Sequence, residues 1–252
     1  MDDDILYHYT SVDTLALILK NQTFRLNNLT DMDDLEEGNS VDYEKIGRFI
    51  FSSSWTNSSE ESIPLWNLYT PDMRGIRIGM PKDFFSPNDG YKNIRKDCEA
   101  NGVTFVDEQI KLIEVIYTDD DNFLCPTIFK EIKENEIPFK FELDRVCTYK
   151  RNVWKFQNEW RYCAKILPFT INEFYSMIED EDKGKDKISN ALRDLNFKIF
   201  PYIDIPIESE MLSKMTIMLG PKMSYANKFL VESLVEKYNP NIKIEDSKLK
   251  IK

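Results

Sequence analysis

Short runs of β-type residues recur from one end of the chain to the other, and this scatter is the strongest constraint on its fold. Ile5-Leu6-Tyr7-His8-Tyr9, Phe24-Arg25-Leu26, Phe49 to Trp55 and Ile76 to Met80 alternate or cluster apolar side chains over a few residues each, as strands buried on one or both faces do. Further strands are predicted at 103–106, 111–117, 146–149, 159–166, 198–203, 214–219 and 241–245. Helical spacing fills the intervals: Val12 to Lys20, with Thr10 or Ser11 as N-cap, then Ile63 to Tyr69, 126–136, 150–158, 170–194 and 222–238. Asn27 to Asp34 reads as a polar loop or helix start, and Pro71 to Gly75 as a turn. No repeat or Pro-Ser linker divides the chain. Strands so numerous and dispersed exclude a helical bundle and predict one α+β domain over 1–252, a mixed β-sheet packed with helices. The charged run Glu179 to Lys187 predicts an exposed insertion or a helix break near 170–195.

Composition narrows the class. With 42% hydrophobic and 31% charged residues, the chain can bury a core and solvate its surface, which excludes a disordered polymer. No apolar run approaches the ~18–20 residues of a membrane helix. The start Met1-Asp2-Asp3-Asp4 is the opposite of a basic signal peptide, so a cytoplasmic protein without membrane contact is expected. The net charge of −11 argues against general attraction to nucleic acid or anionic lipid. That charge is uneven. Residues 1–40 carry nine acids against Lys20 and Arg25, a local −7, while residues 140–165 carry seven bases against Glu142, Asp144 and Glu159, a local +4. Cys98, Cys125, Cys147 and Cys163 are more than fifteen residues apart, which suggests neither a zinc site nor a compact disulfide framework. His8 is the only histidine, so any imidazole chemistry within one chain uses that residue.

Three groups of residues could carry chemistry. In the first, Tyr7-His8-Tyr9-Thr10-Ser11 ends a strand just before a helix; alternation turns His8 and Thr10 to one face and the tyrosines to the other. His8 is then either a satisfied structural residue or a side chain delivered to a cleft. In the second, Glu159 opens a strand and shares a face with Arg161. Two residues apart, they form an ion pair on the sheet, or a carboxylate in a cleft beside a guanidinium able to grip phosphate. In the third, Ser52-Ser53-Ser54 ends a strand, followed by a helix carrying Trp66 and Tyr69. These either close a core or offer hydroxyls and an aromatic platform. The acidic run Asp31, Asp33, Asp34, Glu36, Glu37 lacks the residue order of a calcium loop and reads as a helix N-terminal turn. A metal-dependent nuclease using Asp31, Asp33, Asp34 and Glu36 is a further reading. The amides of Gly220-Pro221-Lys222 could hold an anion.

In this order the motifs resemble a widespread family of bacterial domains of unknown function: Leu6 to Ser11, Leu26 to Glu37, Phe51 to Ser54, Leu65 to Tyr69, Glu159-Trp160-Arg161 and Leu219-Gly220-Pro221-Lys222. The front end also resembles ADP-ribosyltransferases. There a first strand carries His-x-Thr, here His8-Tyr9-Thr10, followed by a helix ending in an Ile-Leu-x-x-Gly-like element, here Ile18 to Asn21 with Asn21 for the glycine. A later strand brings serine, here Ser52 to Ser54, and another a glutamate, here Glu159. The resemblance implies an ADP-ribosyltransferase-like fold and NAD as co-substrate. Glu159 would hold the nicotinamide-ribose hydroxyl and stabilise positive charge on the sugar, His8 would position a ribose hydroxyl with help from Thr10, and Tyr9, Trp66 or Tyr69 would pack on the nicotinamide. Arg25 or Arg161 would neutralise the pyrophosphate. The activity implied is mono-ADP-ribosylation by a toxin-like or anti-phage effector. Its acceptor would be a protein, RNA or DNA, and an antitoxin partner could restrain it. Water as acceptor would make an NAD hydrolase, and the alternative is a noncatalytic nucleotide- or partner-binding module on the same scaffold.

Overall fold

The computed structural model describes residues 5–85, 90–131, 139–180, 183–197 and 200–251. The first third of the chain builds the centre: β1 (Ile5–Thr10), α1 (Val12–Asn21), β2 (Thr23–Asn28), β3 (Ile50–Thr56), α2 (Ile63–Tyr69) and β4 (Ile76–Pro81). Next come α3 (Gly90–Ala100), β5 (Thr104–Phe105), β6 (Lys111–Glu114), β7 (Ile116–Thr118), α4 (Asp121–Leu124), β8 (Phe129–Glu131) and β9 (Phe139–Phe141). Then follow α5 (Asp144–Thr148), β10 (Tyr149–Arg151), the long β11 (Glu159–Leu167), α6 (Ile171–Glu179) and α7 (Gly184–Arg193). The chain ends with β12 (Tyr202–Pro206), α8 (Ser209–Leu212), β13 (Thr216–Leu219), α9 (Tyr225–Tyr238) and β14 (Lys243–Asp246). The molecule is α+β, a single domain on a mixed sheet.

The sheet runs β12-β2-β3-β1-β4-β13-β14, with β11 on β3 and with β5 and β6 on β11. All these pairs are antiparallel except β13 with β14. One edge of β3 pairs with β11 along its full length, Thr56 to Ile50 against Glu159 to Lys165. The opposite edge is shared. β2 holds it at Phe51 and Ser52 and β1 holds it at Thr56, so β1 and β2 diverge and no ladder pairing bridges Ser53, Ser54 and Trp55 on that side. α1 connects the diverging strands. Its start is fixed by Ser11, whose hydroxyl accepts from the Thr14 N–H at 3.0 Å, and its end by Gln22 in the left-handed region at φ 54°.

Alternation sorts the side chains into separate cores. Leu6, Phe51, Trp55, Ile78 and Tyr162 bury one face of the sheet with Leu15 and Ile18 of α1. Ile50, Cys147, Cys163, Phe169, Ile188 and Leu192 form a second cluster. Tyr9 packs with Leu65, Trp66 and Met73 in a third.

Several expected elements change type. Part of the predicted helix 126–136 is strand β8, paired with β9; residues 132–138 lie outside the described residues. The predicted strand 146–149 is mostly the end of α5, where the Thr148 hydroxyl donates to the Asp144 carbonyl at 2.6 Å, an i to i−4 bond a strand cannot make. The predicted helix 150–158 is β10 followed by a 3₁₀ stretch at Asn152–Gln157, stopped by Asn158 at φ 44°. The predicted helix 170–194 is two helices; α6 starts with a capping box between Thr170 and Glu173. Of the two expectations for the charged run, the structure has the helix break, between Glu179 and Gly184; α7 buries Ile188 and Leu192, because apolar residues spaced by four share one helix face. The Gly220 turn spends its amides internally, on the carbonyls of Gly75 at 2.9 Å and Met73 at 3.2 Å.

Candidate active site

The divergence of β1 and β2 opens a cavity of about 330 Å³, at the small end of ligand pockets, which run to ~1,000 Å³. It reaches side chains from both faces of the sheet. His8, Phe24 and Trp55 line it from the α1 face, and Glu159 and Arg161 from the other.

His8 repairs the gap in the ladder. Its Nδ1 lies 2.7 Å from the Ser54 carbonyl, which accepts only if Nδ1 carries the proton. The neutral ring then leaves Nε2 as an acceptor with no hydrogen-bond partner among the described residues. Burial pushes the imidazole pKa down to about 4 against the partial opposition of the Ser54 bond, so the ring is uncharged near neutral pH. Phe24 meets it edge-on at 5.0 Å and Trp55 tilts over it at 5.1 Å. The Trp55 indole N–H donates to the Ser53 hydroxyl at 3.0 Å.

The opposite wall is ionic. Glu159 Oε1 accepts from Arg161 Nε at 2.7 Å and Oε2 from Lys150 Nζ at 3.0 Å. Glu37 Oε1 accepts from Arg161 at 2.6 Å and lies 3.2 Å from Lys150. Lys150 also donates to Gln157 at 2.9 Å, and the Gln157 amide donates to the Tyr69 hydroxyl. The Glu159 N–H donates to the Tyr117 hydroxyl at 2.8 Å. Burial alone would raise the Glu159 pKa, but Arg161 and Lys150 overcome it and hold the carboxyl at about 2. Arg161 stays charged because Glu159 and Glu37 outweigh its own burial. The Ser54 side chain adds a smaller lowering to the Glu159 pKa, and the Ser54 carbonyl is the partner of the imidazole.

Glu37 Oε2 is buried without a hydrogen-bond partner among the described residues. The loop carrying Glu37 is pinned by a close approach of two glycines. The Gly47 N–H donates to the Gly38 carbonyl at 2.7 Å, and a Cβ on Gly47 would fall 2.4 Å from Gly38 Cα. Gly38 itself is at φ +79°, a conformation that favours glycine.

Of the residues singled out in the sequence, His8, Tyr9, Thr10, Arg25, Ser52, Ser53, Ser54, Tyr69, Glu159 and Arg161 all line this cavity. Trp66 does not. It is fully buried in the third core, 4.8 Å from the Tyr9 ring, with its indole N–H on Glu61 at 3.1 Å. Arg161, expected as a phosphate grip, is 1% exposed and directs its nitrogens at Glu159, Glu37 and the Cys147 carbonyl. Arg25 is bidentate to Asp204 at 2.8 and 2.9 Å and lies over the Tyr202 ring at 3.3 Å. Glu37, Lys150, Gln157, Phe24 and Trp55 were not picked out as site residues. The signal for Glu37 and Lys150 was the charge imbalance: the acidic first segment meets the basic 140–165 stretch through Glu36 with Arg151 and Glu37 with Lys150 and Arg161. Six of the seven bases in that stretch lie within 4 Å of a carboxylate, which leaves little to draw in nucleic acid. Of the acidic run, Glu36 and Glu37 enter such pairs, and no group of three or more His, Cys, Asp or Glu side chains among the described residues is placed to hold a metal ion.

No protein-family model, curated protein or solved structure matches the chain. Among the described residues no helix is long and apolar enough to cross a membrane.

Proposed function

We propose that the chain is an enzyme of the ADP-ribosyltransferase type that takes NAD into the gap between β1 and β2 and breaks its bond to nicotinamide. The observation that carries this reading is the meeting of His8 and Glu159, about 150 positions apart in sequence, at one cavity. The resemblance of His8-Tyr9-Thr10, Ser52 to Ser54 and Glu159 to that class adds to it.

The charge of the cavity fits one end of the dinucleotide. Its lining holds three cations, Arg25, Lys150 and Arg161, against four carboxylates, Asp33, Glu37, Glu159 and Asp204, and each cation is ion-paired. Such a lining repels phosphate and accommodates a neutral sugar with a cationic pyridinium ring. The nicotinamide riboside end therefore goes inward and the pyrophosphate stays at the mouth, beside Arg25. His8 Nε2 accepts from a ribose hydroxyl. Trp55 and Tyr69 supply aromatic surface for the ring. As the bond from C1′ to the ring nitrogen breaks, its electron pair leaves with nicotinamide and positive charge grows on the sugar. The ionised Glu159 opposes that charge from a fixed position. A protein or nucleic-acid group, or water, then bonds to C1′ and loses a proton.

A second reading, a noncatalytic nucleotide-binding module, is favoured by one feature: Glu159 is 3% exposed with both oxygens in ion pairs. Incubation with NAD, with nicotinamide followed by mass spectrometry, separates the two. The enzyme reading expects release, a loss of at least ~100-fold in Glu159→Gln, and weakened NAD binding in a folded His8→Ala variant. NAD binding measured calorimetrically without release supports the module, and absence of both binding and release defeats both readings.

A further inference from the structure

A chain of hydrogen bonds leaves the ionic wall and can run in only one direction, toward Tyr69. Lys150, Gln157 and Tyr69 all line the cavity. Lys150 and Gln157 are 5% and 4% exposed, while Tyr69 is half-buried. An ammonium group donates and never accepts, so the amide oxygen of Gln157 must face Lys150 Nζ, 2.9 Å away. The N–H₂ group of Gln157 then faces Tyr69 and donates to its hydroxyl oxygen. That oxygen is the acceptor on the Gln157 side, so its own proton points elsewhere. Among the described residues the Gln157 bond is the only hydrogen bond of the Tyr69 hydroxyl, and water can take the proton until a ligand displaces it. Burial, and then the charges of Glu159, Asp33 and Glu37, push the phenol pKa up. Tyr69 therefore keeps its proton and acts as a donor, not as a base. The Lys150 charge at the far end polarises the chain and strengthens that donor.

In the proposed function the ribose hydroxyls are spent as donors on His8 and Glu159. The polar group that remains on the nicotinamide riboside end is the carboxamide, and its carbonyl oxygen is an uncharged acceptor. We infer that the Tyr69 hydroxyl, oriented by Gln157, donates to that carbonyl oxygen, so that the site reads the ligand ring by its acceptor as well as by its flat surface. Gln157 is a positioning residue, acting on the ligand through Tyr69. Were Tyr69 an aromatic surface alone, its hydroxyl would be dispensable.

This inference rests on the NAD reading, and calorimetric titration with three dinucleotides tests the two separately. NAD and its 3-acetylpyridine analogue share the carbonyl oxygen, and the second lacks the amide N–H₂. The thionicotinamide analogue keeps the N–H₂ but carries sulfur, a weak acceptor, in place of the oxygen. The wild-type protein is expected to bind NAD and the acetylpyridine analogue about equally, and the thionicotinamide analogue about 3- to 10-fold more weakly, the effect of one uncharged hydrogen bond. In Tyr69→Phe, which keeps the ring surface, the preference for NAD over the thionicotinamide analogue is expected to shrink to near one. Gln157→Met is expected to shrink the same preference part of the way; equal weakening of all three dinucleotides in that variant overturns the positioning role. Equal binding of NAD and the thionicotinamide analogue by the wild-type protein overturns the inference and leaves the NAD reading standing. An acetylpyridine analogue as weak as the thionicotinamide one does the same, as does an unchanged preference in Tyr69→Phe. Failure to bind any of the three removes the NAD reading and the inference with it. The wild-type comparisons need no variant, so a poorly folded Tyr69→Phe protein does not blunt the test.

Discussion

The two walls of the cleft solve the same problem, polar groups held out of water, by opposite means. The His8 wall is uncharged. One imidazole completes one carbonyl and keeps one acceptor open, held between Phe24 and Trp55. The Glu159 wall is fully charged, with two carboxylates and two cations locked in mutual contact. An uncharged wall can lose a member and leave only an unmade hydrogen bond. In an ionic wall each member is the counter-charge of two others, so its integrity is collective.

Breaking the ionic wall should therefore have the largest effect. Arg161→Met leaves Glu37 and Glu159 with Lys150 alone, and a loss of about 3–5 kcal/mol is expected, read as a lower urea midpoint. Acid sharpens the comparison, because the walls titrate in different windows. The unfolded chain protonates His8 near pH 6.5 but the folded chain only near 4. Stability from the neutral wall is thus complete above about pH 6.5 and drains as the pH falls to about 4, a loss of about 2–3 kcal/mol. Glu159 goes from 4.5 unfolded to about 2 folded, so the ionic wall keeps its contribution above about pH 4.5 and loses it toward pH 2. In His8→Asn, the decline between pH 6.5 and 4 in urea titrations should flatten while the one below 4.5 persists; a decline that remains unchanged would show that His8 is not its source. The smallest effect belongs to the mouth, outside both walls. Arg25→Gln breaks a pair whose side chains are 39% and 32% exposed, and a change of about 0.2–1 kcal/mol, reduced further by added salt, is expected in the same assay.

The difference between the walls also governs how much of the site could be read in the sequence. His8, its alternation against Tyr7 and Tyr9, and the serines of β3 were legible because strand period and local order fix which way a side chain points. The Glu159–Arg161 pair was legible for the same reason, being two residues apart on one strand. Glu37 and its pairing with Lys150 were not, since the contacts of Glu37 with Lys150 and Arg161 join segments more than 100 positions apart and opposite charge excess says only that such segments attract. Trp66 shows the reverse difficulty: helical spacing places it on the inner face of α2 but cannot say whether that face meets a core or a cleft. The strands of the central sheet followed their pattern, while 144–158 departed from it, because short helices and 3₁₀ turns are set by tertiary packing rather than by period.

The gap between β1 and β2 comes from the course of the main chain, since both strands are tied to the same edge of β3 at separate points. The size of the berth is therefore inherited from the scaffold, and the side chains around it only decide what is welcome there. Substitutions on either wall can retune the occupant without abolishing the space, which makes this architecture a durable mould for related ligands.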